Sequence, residues 1–209
     1  MPGIRLLLSF LIVLLPSAAS SQPAPSQAER IEALRQGGYV IVFRHGATTD
    51  QTKVDSMSKP NVSGERQLNE QGRTQARSIG EAMRKLKIPV GLVVTSTTQR
   101  AVDTARLLGF GDVTPTLDLS ESGSKLAPDE NTRRALALRK LVAARPPADN
   151  NLVIVSHKPN IIDAFGNDWQ DIHEGEASVF EPDGNGVYKL IVRIEAGEWS
   201  KLVQALDGR

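Results

Sequence analysis

Apolar residues along the chain follow two spacings. Short runs rich in β-branched residues lie at Tyr39–Phe43, Val90–Thr95 and Asn151–Val155, with a weaker one at Val113–Leu119, and each reads as a strand. Between them the spacing becomes helical. Ile31 and Leu34 give Glu29–Gln36 a small apolar face, closed by Gly37-Gly38. From Asn69 onward, Ala76, Ile79, Ala82, Met83 and Leu86 recur at three- and four-residue steps until Ile88-Pro89 stops them. Gln99–Leu108 follows Ser96-Thr97-Thr98, whose hydroxyls suit a helix N-cap. Thr132–Ala144 is closed by Pro146-Pro147, and a further helix opens near Pro159. Last, Ala177–Phe180 and Val187–Ile194 flank Pro182-Asp183-Gly184-Asn185-Gly186, the turn chemistry of a hairpin. Asp50–Gln67 is polar and aperiodic, and a connector of that length is expected to be functional or mobile. Strands alternating with helices, then a hairpin, predict an α/β three-layer sandwich. Its sheet is doubly wound and mostly parallel, with an antiparallel addition.

The first residues carry a different pattern. Arg5 precedes an apolar stretch from Leu6 to Leu15, and Pro16–Ser21 is rich in small residues, which reads as a secretory signal peptide over 1–21. Its apolar stretch is too short for a stable membrane span. Residues 22–28 have linker composition, leaving 29–209 as one domain. The chain thus reads as exported to a periplasm or beyond, with no stable span after cleavage. The absence of cysteine fits such a compartment, and it excludes disulfides, thiol catalysis and cysteine-bound metals. A formal net charge of +1 gives no case for nucleic-acid binding.

The chemistry gathers where strands end. Arg44-His45-Gly46 follows the first apolar run, and Ser156-His157 follows the last. Two of the chain's three histidines therefore stand at the carboxyl ends of predicted strands, where open α/β sheets bind ligands. Imidazole is a nucleophile near neutral pH and guanidinium suits a phosphate dianion, so the constellation points to phosphoryl transfer without a metal or cofactor. Arg100 stands in the first turn of its predicted helix, where a cation is disfavoured unless an anion is held there too.

Four segments resemble the histidine phosphatase superfamily, the phosphoglycerate-mutase-like proteins. They are Phe43-Arg44-His45-Gly46, Leu68–Ala76, Ser96–Ala105 with its Arg-Ala-x-x-Thr-Ala core, and Ser156-His157. The resemblance implies that His45 attacks phosphorus to form a phosphohistidine, which water then hydrolyses. It implies that Arg44, Arg100 and His157 bind the phosphoryl oxygens, His157 best as imidazolium. The proton donor it implies is Glu121, in Leu119-Ser120-Glu121, with Asp118 and Glu176 as rivals. Gly46, Thr48 and Gln51 fall on its substrate-binding positions, although Gln51 replaces the usual Asn. The acid-phosphatase branch has Asp directly after the second His; here Lys158 stands there.

The chain is short for the substrate-enclosing insertions of a mutase. The expected activity is therefore hydrolysis of a phosphomonoester, either a small molecule or a phosphate on an envelope sugar. Lys53, Lys59, Arg66 and Lys158 could assist an anionic substrate. Two other functions compete: a phosphate-binding or sensory module without turnover, and a phosphohistidine phosphatase acting on a protein.

Overall fold

The computed structural model describes residues 26–49, 66–123, 126–147 and 149–207. The signal-peptide reading and nearly all of the 50–67 connector, including Gln51, Lys53 and Lys59, lie outside them. Helix α1 (Gln27–Gln36) opens with a capping box in which Ser26 and Glu29 exchange hydrogen bonds. The elements that follow are β1 (Val40–Arg44), α2 (Glu70–Lys85), β2 (Val90–Ser96), α3 (Gln99–Leu108) and β3 (Val113–Thr116). After these come α4 (Pro128–Ala143), β4 (Asn151–Ser156), α5 (Lys158–Phe165), β5 (Ala177–Pro182), β6 (Tyr188–Ile194) and α6 (Glu198–Asp207).

The six strands form one sheet in the order β3-β2-β4-β1-β5-β6. The pairs β1·β4, β2·β4 and β2·β3 are parallel, whereas β1·β5 and β5·β6 are antiparallel. This is the predicted doubly wound sheet with its antiparallel addition. Side chains alternate between the faces with the two-residue period of a strand. Ile41, Phe43, Val93, Val153 and Val155 pack with α1, α2, α3 and α6. Val40, Val42, Val94, Leu152 and Ile154 pack with α4 and α5 on the other face. At the amino ends of the strands, buried Asn151 accepts from the Tyr39 amide and donates to the carbonyls of Leu34 and Pro89, tying β1 and β4 to α1.

Three elements depart from the sequence reading. The predicted strand over Val113–Leu119 stops at Thr116 and becomes a 3-10 turn over Leu117–Leu119. Pro115 in this strand is accommodated because β3 is an edge. Helix α4 starts four residues earlier than Thr132, at Pro128, with Asp129 and Glu130 in its first turn. Helix α6 was not anticipated. It places Trp199 and Leu202 in the core beside Ile31, Leu34 and Ile88.

The topology fixes where a ligand can sit. β1 leads into α2 on one face and β4 leads into α5 on the other, although the two strands are neighbours. The chain thus parts at their carboxyl ends, which makes a crevice there.

Close packing of α2 on α3 depends on Gly80. A Cβ at this position would come within 1.9 Å of the Leu108 carbonyl oxygen. In an open helix Gly→Ala gains about 1 kcal/mol. Gly80→Ala should instead lose about 1–3 kcal/mol, as over-packed sites do. Urea denaturation of the two proteins measures the sign.

Candidate active site

The end of β1 brings Arg44 and His45 to the crevice, and the β1·β4 register sets Arg44 opposite Ser156, so His157 arrives beside His45. The two imidazole rings are 5.2 Å apart, centre to centre. Arg100, from the first turn of α3, lies between them. Its Nε donates to Nε2 of His45 at 3.3 Å, and its Nη2 donates to Nδ1 of His157 at 3.1 Å. The same Nη2 meets the Glu121 carboxylate at 2.7 Å. Residues scattered over 45–157 thus converge on one guanidinium.

These contacts settle the tautomers. A guanidinium only donates, so Nε2 of His45 accepts, while its Nδ1–H donates to the Gly46 carbonyl at 2.8 Å. His157 is the reverse. Its Nδ1 accepts from Arg100, and its Nε2–H donates to Ser96 Oγ at 2.8 Å, with Thr98 Oγ1 at 3.1 Å. Both rings are neutral. Burial pushes the His45 pKa down from 6.5 to about 3; the Gly46 carbonyl opposes this and the Arg100 charge adds to it. Burial likewise holds His157 well below 6.5, helped by the neighbouring His45 and Arg100. The expectation of a His157 imidazolium is therefore corrected for this structure: low dielectric and adjacent cations disfavour it. His45, at 2% exposure, is also deeper than its strand-end position suggests.

The hydroxyls expected to cap α3 serve the site instead. Thr98 is the N-cap residue but makes no side-chain cap bond. Ser96 Oγ accepts from the Thr98 amide, and both hydroxyls turn to His157. On the far side of the cleft, the Glu121 segment is pinned from three elements. Ser120 Oγ bonds Thr97 Oγ1 at 2.7 Å, Asn160 donates to the Ser120 carbonyl at 2.8 Å, and Arg134 of α4 donates to the carbonyls of Ser120 and Glu121.

The three candidate carboxylates separate cleanly. Glu121 lines a cleft of about 430 Å³ together with Arg44, His45, Arg66, Lys158 and Asp163, against an apolar wall of Pro159 and Ile162. Asp118 turns away to Arg133 at 2.5 Å on α4. Glu176 is 2% exposed and is bonded to Arg193 at 2.5 Å and to the His173 amide at 2.8 Å. The expectation that Glu176 could rival Glu121 fails on those bonds, and Asp118 fails on direction. The third histidine, His173, has a side chain 71% exposed and lies outside the cleft.

The positions read as substrate-binding hold more local duties. The Gly46 amide donates to Thr104 Oγ1 at 3.0 Å, so it is not free for a ligand. Glycine is required here because the loop lies against α2: a Cβ on Gly46 would approach the Gly72 carbonyl oxygen to 2.9 Å. Thr48 donates to Glu174 at 3.0 Å. Lys158 Nζ is bonded to the Gln170 carbonyl. Sequence reasoning missed Glu174, Thr104, Asn160 and Asp163. Thr104 could have been found from its place in the Arg-Ala-x-x-Thr-Ala segment, four residues after Arg100 on the same helix face.

Residues 40–124 match the family model of the histidine phosphatase superfamily, branch 1. No curated protein matches in sequence. Solved structures share the fold at low identity. The protein histidine phosphatase SixA, complexed with tungstate, is 17% identical with a TM-score of 0.55, over 77% of this chain and 98% of that one. A mycobacterial glucosyl-3-phosphoglycerate phosphatase is 20% identical with a TM-score of 0.52, over 73% and 96%. A phosphoserine phosphatase of Entamoeba histolytica, in complex with 3-phosphoglyceric acid, is 14% identical with a TM-score of 0.51, over 74% and 95%.

The neutral histidines of the crevice carry a stability cost in acid. The folded chain keeps His45 unprotonated down to about 3, whereas the unfolded chain takes up that proton near 6.5. Between those values the unfolded state binds more protons, so stability falls as pH falls through the window. Urea denaturation between pH 6 and pH 4 should show this loss. His45→Asn should make it shallower by up to one proton, about 1.4 kcal/mol per pH unit. An unchanged slope would mean that His45 is charged in the folded state.

Proposed function

We propose that this chain is an exported phosphomonoester hydrolase that works through a phosphohistidine on Nε2 of His45. The observation that carries the reading is the tautomer of His45. Its Nδ1–H is committed to Gly46, so the lone pair lies on Nε2, against Arg100 and beside the cleft. A ring whose pKa is about 3 keeps that lone pair available throughout the physiological range.

In the first step Nε2 attacks phosphorus, and the bond to the leaving oxygen breaks. In the second, water attacks phosphorus, the N–P bond breaks, and inorganic phosphate departs with the ring restored. Arg44 and Arg100 offset the charge spread over the equatorial oxygens, and His157 steadies Arg100 by accepting from its Nη2 at Nδ1. A phosphoryl group held by Arg100 competes with Glu121 for Nη2. The displaced carboxylate, once it has taken up a proton from solvent or from the monoanion of the ester, is placed to hand that proton to the leaving oxygen and then to take one from the attacking water. The cleft is bordered by Arg66 and Lys158, which suits an anionic phosphorylated small molecule, including an envelope sugar phosphate. The anions in the fold relatives' structures, tungstate and 3-phosphoglyceric acid, accord with that class.

A panel of phosphomonoesters, assayed with and without EDTA, tests the hydrolase reading; turnover is expected to survive the chelator. With a labelled ester, wild-type protein should trap label in an acid-labile, base-stable bond, and His45→Asn should trap none and turn over nothing. Arg44→Ala and Arg100→Ala should each slow turnover by about a hundred- to a thousandfold, the usual loss for one transition-state contact. If His45→Asn retains wild-type turnover, the mechanism is wrong. If no ester is turned over and His45→Asn merely weakens anion binding, the chain is a binding module.

Export rests on the sequence of the first 21 residues. Mass spectrometry of the protein from an envelope fraction should find it beginning between Ala19 and Gln22. An intact Met1 on soluble cytoplasmic protein would overturn this.

A further inference from the structure

We propose that Glu174 is a positioning residue for Arg44, setting the direction of its guanidinium and tempering its charge toward phosphate. The inference rests on the reading of the crevice as a phosphate site. It begins with the backbone. The turn before β5 is stitched to the end of β1: the Arg44 amide donates to the Glu176 carbonyl at 3.0 Å, and the Gly175 amide donates to the carbonyls of Arg44 and His45 at 3.2 and 3.0 Å. Residues 172–176 are thereby laid alongside Arg44 and His45.

That turn then takes hold of both terminal nitrogens of Arg44. Nη1 donates to the Ile172 carbonyl at 2.7 Å, and Nη2 faces Glu174 Oε1 at 3.4 Å. Glu174 is itself aimed by Thr48, whose hydroxyl donates to the same oxygen at 3.0 Å. Behind it, the turn is anchored by buried Glu176 paired with the partly exposed Arg193, and Arg193 also pairs with Asp171 at 2.9 Å. Arg44 Nε is buried with no hydrogen-bond partner among the described residues. The guanidinium is therefore held by its far end and left under-satisfied near the chain.

A stabilising role does not account for this. At 3.4 Å the contact is long for a charge-assisted hydrogen bond, and a partly exposed ion pair contributes little to stability. Its electrostatic effect on Arg44 is real: burial lowers the Arg44 pKa, and Glu174 is the leading influence against that. A guanidinium that shares its charge with a carboxylate grips an anion less tightly in the ground state. If the same carboxylate also sets its direction, removing it has two opposed results. Phosphate binds more tightly, and turnover slows because the guanidinium is misdirected and the product leaves less readily.

The test uses Glu174→Gln and Glu174→Asp in the full chain. Turnover is read with para-nitrophenyl phosphate, and inorganic phosphate binding is read separately by calorimetry, so that the binding arm does not depend on activity. Glu174→Gln should bind phosphate several-fold more tightly while kcat falls about tenfold, the scale of a modest loss of alignment. Glu174→Asp keeps the charge on a shorter arm, so its phosphate affinity should stay near wild type with an intermediate kcat. Unchanged or weaker phosphate binding by Glu174→Gln overturns the proposal. So does a matched loss of affinity and kcat with a lowered melting temperature, the mark of a merely structural contact. If Glu174→Gln does not fold, wild-type kcat in Glu174→Asp overturns it. If wild-type protein turns over no ester, the hydrolase reading fails, and the phosphate affinities alone decide the role of Glu174.

Discussion

A guanidinium that is 2% exposed must find acceptors for its N–H groups, because leaving a buried charge unpaired costs several kcal/mol. Arg100 finds them on two imidazole nitrogens and one carboxylate. Much of the crevice follows from that requirement. The imidazole nitrogens facing Arg100 must be lone pairs, so the opposite nitrogens must be the protonated ones. Those protons need acceptors in turn, which are the Gly46 carbonyl for His45 and the Ser96 and Thr98 hydroxyls for His157. Drawing those hydroxyls to the ring leaves the first turn of α3 without a side-chain cap. The positive end of the helix dipole and the Arg100 charge then fall together, the arrangement an anion would relieve.

The parallel core was legible in the sequence because it obeys one rule. Each of the three buried strands is a short β-branched run flanked by turn residues; after two of them the chemistry sits in the next one or two positions, and after the third it sits in the first turn of the following helix. Arg44, His45, Arg100 and His157 could therefore be gathered without knowing the fold. What escaped is what depends on distant partners. Glu174 touches Thr48 across 126 positions, and nothing near it marks it as different from the exposed acids around it. Asn160 looks like an ordinary helical asparagine, yet it fixes the Glu121 loop from across the crevice by bonding Ser120 and Ser122. Helix α6 escaped for another reason. Its apolar positions Trp199, Leu202, Val203 and Leu206 do have helical spacing, but the reading ended with the hairpin.

Charge alone does not separate site from scaffold in this chain, since arginines serve both. Their degree of satisfaction does. Arg193 meets Glu176, Asp171 and the Asp168 carbonyl; Arg139 meets the carbonyls of Ala164 and Asp163; Arg134 meets Glu130 and two loop carbonyls. These fix element to element. Arg44, by contrast, has among the described residues one hydrogen bond at Nη1, one long ion pair at Nη2 and no partner at Nε. Arg100 keeps its carboxylate partner on a side chain that is 42% exposed, which can be exchanged for another anion without opening the core. Both stand at the switch point between β1 and β4. The crevice thus spends neither of these cations on a permanent, buried counter-charge. A phosphoryl group entering there meets donors already directed; it takes Nη2 of Arg100 from Glu121, and the lone pair of His45 leaves Arg100 Nε to reach phosphorus.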